Sequence, residues 1–141
     1  MNSTDSIYEI SIYLKGVNLN PEDVTNQIGT CPTSSQKKGD KSSTPTGAMV
    51  EKKTGLWSLS VASSEGTSGL LGQLVTRLTK NKSSLAELPN VEEAYIDVFV
   101  AVYVDDSGGE KAEFHFDEKC ITALCELRLP VYFSVSLINR E

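Results

Sequence analysis

The stretch that decides the fold is Ala94-Tyr95-Ile96-Asp97-Val98-Phe99-Val100-Ala101-Val102-Tyr103-Val104. Its even positions, Ala94, Ile96, Val98, Val100, Val102 and Val104, are all apolar. Its odd positions are Tyr95, Asp97, Phe99, Ala101 and Tyr103. Successive side chains on a strand point to opposite faces. β-Branched and aromatic residues dominate, and neither Gly nor Pro interrupts them, so the stretch reads as a strand. The even face belongs against a core. The odd face sets three rings, two of them hydroxylated, around one carboxylate.

Downstream, Asp105-Asp106-Ser107-Gly108-Gly109 reads as a hairpin turn. It lacks the alternating ligand series and closing Glu of a calcium loop. Residues 112–116 read as the returning strand. Asp117 is placed to cap a helix running to Leu127, with Ile121, Leu124 and Cys125 inward. Pro130 resets the chain. Residues 131–138 read as the last strand, with Val131, Phe133, Val135 and Leu137 on one face and Tyr132, Ser134 and Ser136 on the other.

Upstream, 67–80 carries Leu70, Leu71, Leu74, Val75 and Leu78 at helical spacing. A further turn of helix is expected at 84–88, ended by Pro89. Residues 48–53 and 56–61 read as a hairpin turned at Lys53-Thr54-Gly55, with Trp57, Leu59 and Val61 sharing the core face. Residues 31–47, rich in Pro, Ser, Thr, Lys and Gly, read as a loop that is flexible over about 33–47. Asn20-Pro21-Glu22-Asp23 is a helix start and Gly29 a stop. Residues 6–15 alternate as a strand, with Tyr8, Ile10, Ile12 and Leu14 inward. The order is β-α-β-β-α-β-β-α-β. It predicts an α+β fold of one domain over 1–141: a two-layer sandwich, a mostly antiparallel sheet with helices packed on one face.

The net charge is −6, and it is uneven: residues 91–141 hold four basic and eleven acidic groups. An acidic surface argues against nucleic acid, whose binding rests on neutralising phosphates. It suits a basic protein partner, because opposite fields steer encounter. No run approaches the ~20 apolar residues of a membrane helix, and the first six residues do not form a secretory signal. Three cysteines, Cys31, Cys120 and Cys125, have no metal or redox spacing. They are expected as reduced thiols in a cytoplasmic protein.

The run Gly16-Val-Asn-Leu-Asn-Pro-Glu-Asp-Val-Thr25, then Gly29, Pro32-Thr33, Lys38-Gly39 and Gly55-Leu56-Trp57-Ser58-Leu59, resembles a bacterial domain-of-unknown-function family across most of the chain. This sequence departs from that pattern in a Ser/Thr-rich insertion at 34–47. The resemblance carries no established reaction. It implies that some small relatives sit beside toxins as immunity proteins.

Catalytic machinery is sparse. The single histidine, His115, lies between Phe114 and Phe116, and packing is the better expectation for it. No G-x-S-x-G elbow is present, the adjacent acids do not converge, and no ligand cluster points to a metal. No cofactor is implied. What stands out is the sheet face away from the helices, where Tyr13, Tyr95, Asp97, Phe99, Tyr103, Tyr132 and Ser134 are expected together. Tyr and Ser are residues that recognition surfaces favour. The expectation is a non-enzymatic protein-binding face, in its specific form that of an immunity protein against a basic toxin. A homodimer or the 34–47 loop covering that face, and a small-ligand site or an enzyme using His115 with nearby acids, are the competing readings.

Overall fold

The computed structural model describes residues 6–64, 69–104 and 115–139. Strand β1 (Ser6–Gly16) lies in the middle of a five-stranded sheet formed by the described residues. β5 (Gly55–Ser63) pairs with one of its edges and β6 (Glu93–Val104) with the other, both antiparallel. The short β2 (Ser34–Gln36) adds to β5, antiparallel. β7 (Val131–Asn139) adds to β6, in parallel. The fold is thus α+β with a mostly antiparallel sheet.

The alternation of β6 is realised as expected. Ile96, Val98, Val100 and Val102 are buried on the helix side, with Tyr8, Ile10, Ile12 and Leu14 of β1 and Trp57, Leu59 and Val61 of β5. Helix α1 (Pro21–Ile28) begins where Asn20 accepts the Glu22 N–H and Pro21 occupies the first turn; it ends at Gly29 in the left-handed region. Its Val24 and Ile28 join the same core. Trp57 is fully buried, and its indole N–H donates to Thr25 Oγ1 at 3.1 Å, tying α1 to the sheet. Helix α2 (Leu70–Arg77) packs Leu70, Leu71 and Leu74 over the same face.

Several expectations need correction. The partner of 48–53 is not 56–61. β4 (Met49–Glu51) instead pairs with β3 (Lys41–Ser43) in a separate exposed hairpin, and β2 takes the outer edge of β5. The stretch read as a loop therefore carries two short strands. Thr44 accepts the Ala48 N–H on its hydroxyl and closes that hairpin's turn, a side-chain contact that periodicity does not report. Helix α2 is shorter than 67–80 at its end, because Leu78 has left helical geometry, and residues 65–68 lie outside the described set. The 84–88 turn is a 3₁₀ turn over Leu85–Glu87. The turn at 105–109 and most of the strand expected at 112–116 fall outside the described residues; His115 and Phe116 are not in a strand.

Helix α3 (Glu118–Leu127) begins with Asp117 accepting the Cys120 N–H at 2.9 Å, as expected of a cap. Its inner face is rotated from the expected one: Cys120, Ala123, Leu124 and Leu127 turn to the core, whereas Ile121 and Cys125 are exposed. The last strand keeps the two faces read for it. Phe133, Val135 and Leu137 share the helix side of the sheet with Val98, Val100 and Val102 yet are exposed. β7 lies at the sheet edge, and α2 packs on β1 and β5 instead.

Candidate functional site

The open face of the sheet is built by register. Tyr13 stands opposite Tyr95, Ser11 opposite Asp97, and Asp97 in turn beside Tyr132 of the parallel strand. Directly opposed side chains in an antiparallel pair approach to ~4.5–5.5 Å, so the pairing alone brings the rings together. Tyr13 and Tyr95 stack with centroids 5.2 Å apart and planes at 27°. Tyr132 meets Tyr95 edge-on, also at 5.2 Å, at 86°. Both are favoured arrangements of aromatic quadrupoles. The Ser134 hydroxyl donates to Asp97 Oδ1 at 2.9 Å and fixes the carboxylate beside Tyr132. A second hydroxyl pair, Ser11 and Ser60, lies 2.7 Å apart one strand over.

These groups line an open depression of ≈ 450 Å³ walled by Tyr13, Glu93, Tyr95, Asp97, Tyr132 and Ser134. Five of the seven residues expected on this face converge there. Phe99 and Tyr103 share the strand face and are half-buried, but they sit further along β6 and do not line the depression.

Two participants escaped the sequence reading. Glu93 forms one wall, and Lys15, opposite Glu93 in the register, holds its ammonium 5.1 Å from the Tyr95 ring centre and 5.8 Å from that of Tyr13. A hydrogen bond to the Tyr95 hydroxyl is the main influence holding Lys15 above the ordinary lysine value. Partial burial opposes it, and the Glu93 carboxylate adds to it. The signal was parity: Lys15 lies two residues past Tyr13 and Glu93 two before Tyr95, so alternation places all four on one face.

Three rings, two carboxylates and an ammonium present apolar area, hydrogen-bond acceptors and cation-attracting faces together. A nucleophile held against a base is not part of this set. His115 is exposed on the segment leading into α3 and is not among the lining residues. Among the described residues, no group of three or more His, Cys, Asp or Glu is placed to hold a metal ion. No helix of the described residues is long and apolar enough to cross a membrane.

A family model for a domain of unknown function, DUF4279, matches residues 6–137. The chain belongs to that family. No curated protein matches it, nor does any solved structure. The DUF4279 match takes in all three helices and both strands that carry the tyrosine stack, and it reaches Leu137 in β7.

Proposed function

We propose that this DUF4279 domain is a non-enzymatic protein-binding domain whose tyrosine face receives a basic protein. In its specific form, which the resemblance to small bacterial proteins beside toxins suggests, it is a cytoplasmic immunity protein that neutralises a toxin. The observation that supports this most is the Tyr13–Tyr95–Tyr132 row, flanked by Glu93 and Asp97, on a sheet face that no helix of the described residues covers. Tyrosine supplies rigid contact area at low entropic cost. Carboxylates beside ring faces suit Lys or Arg side chains. The net charge of −6 favours encounter with a basic surface.

The test pairs the wild type with a Tyr95→Ala/Tyr132→Ala variant. The ligand in the titration is a basic toxin, sought among the products of the neighbouring genes. Loss of at least ~10-fold in affinity, with an unchanged thermal melt, supports the reading; about that loss is expected when an interface anchor is truncated. Equal binding by both proteins sinks it. Raising salt should slow association more than dissociation.

A small-ligand site is the second reading. It is favoured by the ≈ 450 Å³ of the depression, which falls in the ~300–1,000 Å³ range of ligand sites. The openness of the depression counts against it. An enzyme using His115 draws no support from the geometry, since His115 lies outside the depression. A His115→Ala variant with unchanged binding is expected.

A further inference from the structure

Among the described residues β7 is an edge strand, and its sequence lacks the usual protection. From Val131 to Asn139 it has no charged residue and no proline, the devices by which edge strands avoid pairing with other chains. Four of its large side chains are more than half exposed: Tyr132 54%, Phe133 56%, Val135 61% and Leu137 70%.

The direction of its backbone groups follows from one bond. The Ile96 N–H donates to Pro130 O at 2.8 Å, with Ile96 opposite Val131 in the parallel ladder. The even residues of β7 therefore turn their N–H and C=O groups to β6, and the odd residues turn theirs outward. Among the described residues nothing pairs with that outer edge at Val135 or Leu137.

The edge is also self-complementary. Laid antiparallel on a second copy with the two-fold axis at Val135, it sets Val135 against the partner's Val135 and Phe133 against the partner's Leu137. Ser134 then meets the partner's Ser136, and Tyr132 meets the partner's Ile138. Apolar residues oppose apolar ones on the helix side, serines oppose serines and Tyr132 opposes Ile138 on the open side, and no charge is buried. The outward-facing N–H and C=O groups of Val135 and Leu137 fall at hydrogen-bonded positions of the new ladder. A two-fold interface requires a patch that complements itself in this way.

We propose that β7 pairs with β7 of a second copy, joining two sheets into one of ten strands. The apolar row Phe133, Val135 and Leu137 then meets its counterpart across the seam. The tyrosine depression lies on the opposite face from that row, and its β7 wall, Tyr132 and Ser134, adjoins the seam. A nine-residue edge is short of the ~800 Å² per partner of standard interfaces, so a weak dimer with a dissociation constant on the order of micromolar is expected.

Sedimentation of the full chain at roughly 200 μM, well above such a constant, should show the dimer, and dilution should dissolve it. Val135→Lys should be monomeric at the same load with an unchanged melt; Leu137→Lys, at the most exposed site of the edge, repeats the test if the first variant does not fold. Hydrogen-bonded antiparallel partners stand ~5.5 Å apart at Cα, inside the disulfide range. Val135→Cys, in a chain whose Cys31, Cys120 and Cys125 are changed to Ser, should therefore cross-link to a dimer on oxidation. A wild type that stays monomeric overturns the proposal. A dimer that survives Val135→Lys, or a Val135→Cys chain that does not cross-link, overturns it as well.

Discussion

The Lys15 ammonium lies over two stacked rings at once, 5.1 Å from the centre of Tyr95 and 5.8 Å from that of Tyr13. The stack is thus already engaged by a cation of its own chain. A partner's Arg or Lys would approach from the Tyr132 side, where Asp97 stands. The depression is an acidic and aromatic corner with one resident positive charge.

Removing that charge tests the corner without touching the core. Lys15→Met should lower stability by about 0.5–1 kcal/mol, the size of a cation–π contact at an exposed site. Trp57 fluorescence in a urea titration reads the change. The pH dependence has a fixed sign. Lys15 is held above 10.5, so its contribution is complete below that value and fades only as pH rises through the higher folded value. Wild type and variant should therefore differ by the same amount from pH 6 to pH 9 and converge in strong alkali.

The Trp57–Thr25 bond is the second test. The indole is fully buried and Thr25 Oγ1 is its acceptor at 3.1 Å. Thr25→Val keeps the shape of the side chain but strands the N–H, and should cost about 1–3 kcal/mol. In a Trp57→Phe background there is no N–H left to strand, so the same change should cost only a few tenths of a kcal/mol. Equal costs in the two backgrounds would mean that the bond contributes nothing. Chemical denaturation of the four proteins measures the coupling.

Much of this architecture is legible in the residues, for identifiable reasons. The β1, β5 and β6 alternations are strict, and a period of two fixes both faces once one is apolar. Asn20-Pro21 and Asp117 announce helix starts through their own side-chain chemistry. Pairing is harder to read. Nothing local in Met49-Val50-Glu51 distinguishes β3 from β5 as a partner. Val135 and Leu137 look like core by alternation alone, because alternation reports a face and not whether another layer covers it. For the depression, the rings and Asp97 were legible, while Lys15 and Glu93 lie at the ends of the alternating runs, where strand boundaries are hardest to read.

Two glycines should respond in opposite directions to alanine. Gly16 ends β1 opposite Gly55, and a Cβ there would run into the backbone oxygen of Asn90. That oxygen cannot swing aside as a side chain could. The neighbouring Glu92 N–H is also committed to Lys15 O at 2.8 Å. Gly16→Ala should destabilise by at least ~1–3 kcal/mol, the range for overpacking. Gly72 sits inside α2 on its exposed side with open space around it. Gly72→Ala should stabilise by about 1 kcal/mol through helix propensity. Thermal melts of both variants against wild type decide the matter, and a shared sign would show that one of the two environments is misplaced.

The three thiols should separate by reactivity. Cys31 and Cys125 are exposed, and Cys120 is partly buried against the core. Burial first, and then the Asp117 carboxylate beside it, push the Cys120 thiol above its ordinary value, so less thiolate is present at a given pH. A thiol reagent at pH 8 should label two cysteines quickly and one slowly, with peptide mapping placing the slow site at Cys120. Asp117→Asn keeps a side chain able to cap α3 while removing the negative charge. It should lower the Cys120 value and speed its labelling, though not to the rate of the other two, because burial is the larger cause and is unchanged. The Asp117 carboxyl itself is held below its usual value, mainly by the Cys120 N–H it accepts. Its support of the helix is therefore present above the unfolded value and lost as pH falls through the lower folded one. In acid, α3 of the wild type should approach the behaviour of Asp117→Ala, with Cys120 amide exchange as the readout. Exchange at Cys120 that is the same in wild type and Asp117→Ala at pH 7 would remove Asp117 from that role.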